Sequence, residues 1–456
     1  MNNMLSGKQI ALICVVAVLV LAMGFTLGRM GGSDINKTVL ERKPVTPIAG
    51  DVLTMADWAN DYPLQYNSYM LTETSGPKPG NFGGNILFQH SEYQPEMLTN
   101  FKGFGFGIDY NDDRGHYWAV IDNKETKRVN PGTKGACTTC KTPYVGVWYD
   151  RYGWEYANMS FWELYEEVPE EEPGVGCYMC HDPETMDLRI IQPALLDAGR
   201  YLGVDFQKAP VEDMRTYVCA QCHVTYYMDP ESFKVIFPWT ESVSATRQPG
   251  AAEPNLTVEN IWKHYERVRG ETGIDKFFLS DYKQADSTVD VVKVRHPEFE
   301  TWSMGVHGKA NVACADCHMP YQMEKGEKFS SHWMTSPLRT IDRSCGRCHD
   351  KSDEWLLDRV MQIQDNTFQA QRLAGTKIAE AHDAIAAAAE TPGVNEAKLA
   401  EARELNRKAQ FYWDYVAAEN SMGFHAPDQI IRTLTQSVQY ANDAVIAAYQ
   451  AGGRLR

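Results

Sequence analysis

The sequence predicts a mainly α-helical fold with long C-terminal helices and few short strands. Three observations lead to this prediction. Apolar residues recur at helical spacing after Asp350, and the preceding region alternates short helical stretches with long loops rich in Gly, Pro, Trp and Tyr. Ten of the eleven cysteines also form five C-x-x-C pairs. The 456 residues, 43% of them hydrophobic, are enough for one large domain or two to three ordinary ones.

The first segment, residues 1–32, is predicted to be either a signal peptide or an N-terminal membrane anchor. A charge-free stretch of about twenty residues, long enough to cross a bilayer, lies between Lys8 and Arg29. The small residues of Ala22-Met23-Gly24 would instead suit a cleavage site. Both interpretations predict a periplasmic protein, exported or tethered to the outer face of the inner membrane. Cys14 lies in this segment and belongs to no pair.

Residues 33–50 are predicted to be a polar, proline-containing linker, and residues 51–350 to form the body that carries the cysteine pairs. The chain has 44 Lys and Arg against 60 Asp and Glu, a formal charge of −16. Such acidity argues against nucleic acid as a partner. An anionic substrate would need a locally positive pocket.

Four of the five cysteine pairs are followed directly by histidine, the pattern of covalent c-type haem attachment. They are Cys177, Cys180 and His181; Cys219, Cys222 and His223; Cys314, Cys317 and His318; and Cys345, Cys348 and His349. The thiols bind the porphyrin and the following residue ligates the iron. Zinc ribbons and redox disulfides also use such pairs, but neither explains the histidines. The five pairs therefore predict a multihaem cytochrome with five covalently bound haem c groups, haem 1 to haem 5 in chain order.

The first pair, Cys137 and Cys140, is followed by Lys141 instead of histidine. An ammonium group cannot ligate iron, so Lys141 would have to lose its proton, which burial beside a cofactor favours. With no ligand on the opposite face, this iron would be open to substrate, as catalytic metal sites are. The alternative is that Lys141 is a surface residue and that haem 1 finds another ligand.

The last segment, residues 351–456, is predicted to form three long helices. Ser352 can cap the first, which runs to about Glu390. The second is expected from about Asn395 to Glu419, and the third from about Pro427 to the glycines near Gly452. Helices this long usually pack against a partner. A helix-mediated homodimer is therefore predicted, with an intramolecular hairpin as the alternative.

Eight of the twelve histidines do not follow a cysteine pair. They are His90, His116, His264, His296, His307, His332, His382 and His425. Four six-coordinate haems would need four of them as distal ligands, so the supply is sufficient and leaves some for catalysis. His264 and His382 lie in charged, helix-like contexts. These two and His90 are expected to be ordinary polar residues.

Taken together, these residues resemble pentahaem cytochrome c nitrite reductase, the ammonia-forming enzyme. The resemblance covers about residues 55 to 450, and the order of the five haem motifs agrees. Its specific segments are Cys137-Thr-Thr-Cys-Lys141, Tyr110-Asn-Asp-Asp-Arg114-Gly-His116, Cys219-Ala-Gln-Cys-His-Val-Thr-Tyr226-Tyr227 and Lys293-Val-Arg-His296-Pro-Glu-Phe-Glu-Thr-Trp-Ser-Met-Gly-Val-His307-Gly-Lys. The family is mainly α-helical and is dimeric through its long C-terminal helices.

The resemblance implies a role for each of these residues. Haem 1, with Lys141, would be the active site, and Arg114, Tyr226 and His296 would line its distal pocket. Haems 2 to 5 would be bis-histidine haems. Their distal ligands would be His332 for haem 2, His116 for haem 3, His425 for haem 4 and His307 for haem 5.

The function that follows is the six-electron reduction of nitrite to ammonium at haem 1, fed by the other four haems. The guanidinium fork of Arg114 suits an anion with two oxygens, and His296 and Tyr226 can donate protons. A membrane quinol-oxidising multihaem cytochrome is the electron donor that the resemblance suggests. Two alternatives stay open: an electron-transfer protein without substrate turnover, and a related sulfite or hydroxylamine reductase.

The chain departs from the family pattern beside this pocket. Many members hold a calcium ion there, with glutamate before the active-site tyrosine and glutamine before the active-site histidine. Those positions are Thr225 and Arg295 in this chain. Losing a carboxylate ligand and adding a cation both weaken a calcium site. No calcium is therefore predicted, with the Arg295 guanidinium in the ion's place. Lys293, whose family counterpart contributes a carbonyl, is retained.

Overall fold

The computed structural model describes residues 45–452 except 75, 77–78, 83–85, 112–113, 173, 203–204, 240–255 and 272–280. The predicted N-terminal segment and most of the predicted linker lie outside the described residues. None of the helices within the described ranges has both the length and the hydrophobicity that a bilayer crossing requires. The chain from Pro47 onward forms one compact unit.

The body consists of short helices joined by long loops, as the sequence predicts. The described α-helices of this region are α1 (Met55–Asp61), α2 (Pro63–Met70), α3 (His90–Tyr93), α4 (Met97–Asn100), α5 (Ala119–Glu125), α6 (Tyr144–Tyr152), α7 (Phe161–Glu166), α8 (Pro193–Leu202), α9 (Val211–Ala220), α10 (Val258–Glu271), α11 (Glu298–Met304), α12 (Val306–Lys309) and α13 (Cys314–His318). Short 3-10 helices lie between them at Leu71–Glu73, Gly105–Gly107, His116–Trp118, Gly135–Thr138, Gly153–Asn158, Cys177–Met179 and Phe206–Lys208, and at Pro337–Arg339 after them.

Strands are few and short in the described part of the chain, and all of them form two-stranded antiparallel hairpins. The pairs are β1 (Tyr227–Met228) with β2 (Val235–Ile236), β3 (Tyr282–Lys283) with β4 (Asp290–Val291), and β5 (Tyr321–Glu324) with β6 (Glu327–Ser330). Lys325 and Gly326 connect β5 to β6 with φ of +52° and +83°. Two consecutive positive φ values are typical of the type I′ turn that closes a two-residue hairpin. The predicted mainly α class is confirmed.

Three long helices complete the fold: α14 (Asp353–Ala389), α15 (Glu396–Ala417) and α16 (Pro427–Ala451). The 37 residues of α14 span about 56 Å. Ser352 caps α14 by accepting the Trp355 N–H, and Asn395 caps α15 in the same way. Gly452 ends α16 with φ of +117°, a left-handed conformation that favours glycine. The predicted helices are therefore confirmed to within about two residues.

The three long helices pack against one another within the chain. Their contact faces are rich in alanine, interspersed with large apolar residues, and contribute most of one buried apolar cluster. That cluster includes Ala374, Ile378, Ala409, Trp413, Ile430 and Leu434. Small side chains let helix backbones approach closely, and the larger ones fill the remaining space. The packing within the chain gives α14 its partners, so the homodimer stays a prediction.

His382, on α14, lies at the centre of a buried hydrogen-bond network. Its Nδ1 is 2.7 Å from the Ser287 hydroxyl, and its Nε2 is 2.8 Å from Oε1 of Gln410. The amide of Gln410 donates in turn to the carbonyl of Asn100 and to the Tyr282 hydroxyl. The Gln410 oxygen therefore accepts from Nε2–H. The single Ser287 hydroxyl proton has two acceptors, Nδ1 of His382 and Oε1 of Gln284 at 2.9 Å. Burial lowers the pKa of His382 to about 4.

The lowered pKa of His382 predicts that the free energy of unfolding decreases in acid. The unfolded chain binds a proton at His382 below about pH 6.5, whereas the folded chain binds this proton only below about pH 4. Stability from this group is therefore present above pH 6.5 and is lost as the pH falls. The expected loss between pH 6.5 and 4 is about 3 kcal/mol. His382→Gln should lower the free energy of unfolding at pH 7 by about 1–3 kcal/mol.

The measurement is denaturant unfolding of both proteins across this pH range. The difference in the free energy of unfolding between wild type and His382→Gln should become smaller as the pH falls. If this difference is the same at every pH, His382 does not take up a proton on unfolding.

Candidate active site

Each histidine that follows a cysteine pair faces one of the four histidines predicted as distal ligands. The ring centroids are 6.0 Å apart for His181 and His332, 6.3 Å for His223 and His116, 6.5 Å for His318 and His425, and 6.1 Å for His349 and His307. Imidazole nitrogens bind metals at about 2 Å, so a metal ion fits between rings at this separation. Two imidazole nitrogens and a pair of cysteine thiols form a donor set that suits c-type haem.

Hydrogen bonds orient several of these imidazoles. A backbone carbonyl lies beside Nδ1 in three of them: Met186 O at 3.0 Å from His181, Thr335 O at 2.9 Å from His318, and Ser330 O at 2.9 Å from His332. A carbonyl only accepts, so Nδ1 carries the proton in these three rings. Nε2 is then left unprotonated, the form in which it binds a metal.

Two glycines let the backbone approach closely beside two of the predicted distal ligands. A Cβ on Gly305 would lie 1.8 Å from the carbonyl oxygen of His425, and a Cβ on Gly174 would lie 1.8 Å from that of His116. No side chain fits at such a distance. The positions of His425 and His116 therefore depend on glycine at these two sites.

The cysteine pairs are neighbours in space as well as partners in sequence. The thiols of Cys140 and Cys222 interact directly, and so do those of Cys219 and Cys314. Cys317 is close enough to the fifth pair for its thiolate to be repelled by the thiolate of Cys345. The first pair therefore adjoins the third, the third adjoins the fourth, and the fourth adjoins the fifth.

Tyr226 lies close enough to the first cysteine pair for charge on Cys140 or Cys137 to act on its phenol. Burial raises the pKa of its phenol, against the opposing effect of the Arg295 guanidinium, whose central carbon is 5.5 Å from the ring centroid. Tyr226 therefore stays protonated at neutral pH. Lys141 follows the same pair, and its amide N–H donates to the carbonyl of Thr138. Its charge acts on both Cys137 and Cys140.

His296 has a backbone conformation that is rare for a residue with a side chain, with φ of +43°. Such strain concentrates at functional sites. The buried carboxylate of Glu298 lies between two imidazoles, with Oε1 3.9 Å from Nδ1 of His296 and Oε2 3.8 Å from Nδ1 of His223. These separations are too long for hydrogen bonds. Glu298 nonetheless links the neighbourhood of His296 to that of the third cysteine pair.

Arg114 is held by carboxylates. Its Nε donates to Asp122 at 2.6 Å, a terminal nitrogen donates to Glu125 at 3.1 Å, and the guanidinium lies 4.1 Å above the Trp118 ring. No contact recorded for the described residues joins Arg114 to Tyr226 or His296. Its role in the pocket stays a prediction.

Arg295 makes bonds that tie together the segment before His296. One terminal nitrogen donates to the carbonyl oxygen of Lys293 at 2.7 Å, and the other approaches Asp281 at 2.5 Å. Asp281 also accepts the backbone N–H of Lys293 at 2.7 Å. The sequence indicated Arg295 but not Asp281, which is fourteen residues away and belongs to no motif.

A buried ion pair anchors the same segment to helix α15. The Lys293 ammonium lies 2.7 Å from Asp414, and both side chains are at most 1% exposed. The ammonium also donates to the Val294 carbonyl at 2.7 Å and lies 4.9 Å from the ring centroid of Phe106. Asp414 accepts the Val294 N–H with its other oxygen. This pair therefore fixes the backbone that leads to Arg295 and His296.

Glu300 is another residue that the sequence reasoning did not indicate. It is fully buried, and its carboxyl group accepts hydrogen bonds from the Trp239 indole at 2.9 Å and from the Thr225 N–H at 3.0 Å. Burial raises the pKa of Glu300 to about 8. It supports the backbone immediately before Tyr226.

The chain matches the cytochrome c552 family over residues 54–453. It is 34% identical to the cytochrome c nitrite reductase subunit NrfA of Nitratidesulfovibrio vulgaris, over 99% of this chain and 88% of the relative. It is also 34% identical to a cytochrome c-552 of Bacteroides thetaiotaomicron, over 85% of this chain and 75% of the relative.

A solved structure agrees with these relatives. It is the catalytic subunit, NrfA, of the cytochrome c nitrite reductase of Desulfovibrio desulfuricans, which is described with two calcium sites. The two structures superpose with a TM-score of 0.80 at 35% sequence identity, over 88% of this chain and 86% of the other.

Breaking the buried Lys293–Asp414 pair is expected to cost more stability than breaking an ion pair at the surface. Asp414→Asn leaves a buried ammonium without its counter-charge, so the free energy of unfolding should fall by about 3–5 kcal/mol. The matched control is Asp286→Asn, which removes the partner of Lys102 in a pair that is 55% and 41% exposed. This control should cost no more than about 1 kcal/mol. Equal effects in denaturant unfolding would contradict an anchoring role for Asp414.

Proposed function

The chain belongs to the cytochrome c552 family, and on that premise we propose that it is a cytochrome c nitrite reductase that reduces nitrite to ammonium. The observation that carries the proposal is the contrast between the first cysteine pair and the other four. Each of the other four supplies a histidine that faces a second histidine. The first supplies Lys141, and the facing pairs use every histidine predicted as a distal ligand.

The donor sets fit five haem c groups. Cys137, Cys140 and Lys141 would hold haem 1, and the four cysteine pairs with facing histidines would hold haems 2 to 5. When bound, the haems supply the electron storage and the iron coordination site that the six-electron reduction requires. The remaining histidines do not compete for iron, because His90, His264 and His382 are buried in contacts with tyrosine or glutamine side chains.

The protein's own side chains would bind the anion and supply protons. Tyr226, protonated and buried beside the first cysteine pair, can donate a hydrogen bond to a substrate oxygen. Nδ1 of His296 has no hydrogen-bond partner among the described residues, which leaves it available for proton donation. Arg114 can bind nitrite oxygens if it exchanges one carboxylate for the substrate. Glu125 is the candidate for exchange, because its side chain is 65% exposed.

Arg295 is proposed to stand where other members hold calcium. The supporting observation is its hydrogen bond to the Lys293 carbonyl, the group whose family counterpart contributes an oxygen to the ion. A guanidinium that binds this oxygen and Asp281 at once supplies the positive charge and cross-links the segment, as a bound cation would.

Periplasmic localisation, a homodimer and a quinol-oxidising multihaem cytochrome as electron donor complete the proposal. The long helices support the homodimer, because they keep large apolar side chains on the surface. Leu373 on α14 is 53% exposed and Ile446 on α16 is 54% exposed. Burying such residues against a second copy is favourable.

The proposal predicts the product and the spectrum. With a reduced viologen as electron donor, the purified protein should form close to one ammonium per nitrite consumed. Wild-type protein should show one high-spin haem that binds cyanide or nitrite, beside four low-spin haems. Nitric oxide as the main product would refute the proposed chemistry. Five low-spin haems without turnover would indicate an electron-transfer protein instead.

A matched pair of tyrosine variants tests the site within the same assay. Tyr226→Phe removes the proposed donor and should reduce turnover by at least about 100-fold. Tyr227→Phe removes the neighbouring hydroxyl, which contacts His264 outside the pocket, and should leave turnover nearly unchanged.

The Arg295 proposal predicts that the purified protein contains no stoichiometric calcium and keeps its activity after treatment with a chelator. Arg295→Gln should lower turnover while all five haems are retained. The control is Lys283→Gln, at an exposed ion pair of the adjacent hairpin, which should behave as wild type. Tightly bound calcium in the wild-type protein, or full activity of Arg295→Gln, would refute this role for Arg295.

A further inference from the structure

His425 differs from three other proposed ligand histidines in the group beside its Nδ1. Where His181, His318 and His332 meet a neutral backbone carbonyl, His425 meets a carboxylate. Its Nδ1 lies 2.6 Å from Oε1 of Glu419, within hydrogen-bonding distance. Neither atom has another hydrogen-bond partner among the described residues. The two groups are therefore each other's available partners.

The loop between α15 and α16 is built around this carboxylate. The Glu419 side chain is fully buried. Its other oxygen, Oε2, accepts the Ser421 hydroxyl at 2.7 Å and the Gly423 N–H at 3.3 Å. Ser421 also accepts the N–H of His425 at 2.9 Å. The loop turns through Gly423 at φ of +82°, where a Cβ would lie 2.4 Å from the hydroxyl oxygen of Thr367. Glu419 is therefore fixed next to His425.

We propose that Glu419 tunes the redox equilibrium of haem 4, the haem proposed to lie between His318 and His425. A carboxylate that accepts the Nδ1 proton of a ligand imidazole makes Nε2 a stronger electron donor, and its charge stays buried beside the iron. Both effects stabilise the ferric state over the ferrous state. Glu419 therefore makes haem 4 harder to reduce than a neutral acceptor would. The inference rests on the proposed ligation of haem 4 by these two histidines.

Glu419 is distinguished from Glu298, the other carboxylate beside a ligand histidine, by distance. The contact of Glu298 with His223 is 3.8 Å, beyond a hydrogen bond, and Glu298 is shared with His296. The fourth cysteine pair adjoins the third and the fifth. A lowered potential at this central position favours passage of an electron to a neighbouring haem over its retention on haem 4.

The test compares Glu419→Gln with Glu419→Asp in redox titrations followed by electron paramagnetic resonance. Glu419→Gln keeps the shape and an acceptor oxygen but removes the charge. One low-spin haem should become at least tenfold easier to reduce, an upward shift of about 59 mV for one electron. The other four haems should not change, and Glu419→Asp, which keeps the charge, should stay closer to wild type. Unchanged potentials in a Glu419→Gln protein with five haems would overturn the proposal.

Ser421→Ala provides a second test if Glu419→Gln does not retain haem 4. It removes a hydrogen bond from the carboxylate and leaves more negative charge facing His425. The same haem should become harder to reduce, a shift in the opposite direction, and an upward shift or none would overturn the proposal. These titrations need no nitrite turnover. A failed turnover assay would refute the proposed activity, whereas a wild-type haem count below five would refute the cofactor assignment.

Discussion

Four pairs of facing imidazoles, proposed to bind the iron of four haems, constrain how the body of this protein folds. The ring centroids of His181 and His332 are 6.0 Å apart, although the two residues are more than a hundred positions apart in the sequence. Two further pairs, His116 with His223 and His318 with His425, also join positions more than a hundred residues apart, whereas His307 and His349 are 42 positions apart. Short helices and long loops suit this arrangement better than stacked layers of helices or sheets, because each segment has only to place one imidazole ring in the right orientation. Much of the apolar surface that stabilises such a body would come from the porphyrins.

The C-terminal end of α15 connects this body to the long-helix bundle. Asp414 and Glu419 are both fully buried there. Asp414 pairs with Lys293 and fixes the backbone that leads to His296, while Glu419 contacts His425. Burying a carboxylate costs free energy unless it has a partner. Each of these two carboxylates therefore depends on its partner staying in position. The long helices thus hold in place both the candidate active site and His425, a proposed haem ligand.

The parts of this arrangement that have local sequence signals were predictable. The ends of the long helices were predictable from Ser352, Asn395 and Gly452. Haem attachment was predictable from the five Cys-x-x-Cys pairs. The partners Asp281, Asp414 and Glu419 gave no such signal. Asp281 and Asp414 pair with residues fourteen and 121 positions away, and acidic residues on helices are usually solvent-exposed. The assignment of each distal histidine needed the resemblance, because spacing alone does not state which rings will face each other. The carboxylate contacts of Arg114 were not foreseen at all.

The acidic composition posed a difficulty for an anionic substrate, and the distribution of charge around the first cysteine pair resolves it. Burial raises the pKa of the Cys137 thiol, and the guanidinium groups of Arg295 and Arg128 oppose that shift by favouring its ionised form. The same two groups favour any other anion placed nearby. Lys141 would add no charge there, because only its neutral amine can bind iron. Arg295 is compensated by Asp281, whereas no ion pair of Arg128 is found among the described residues. The net charge of −16 describes the whole surface, whereas the potential inside a low-dielectric pocket depends mainly on the nearest few charges. The Arg128 guanidinium, which has no carboxylate partner among the described residues, therefore favours an anion such as nitrite at this one position of an otherwise negative protein.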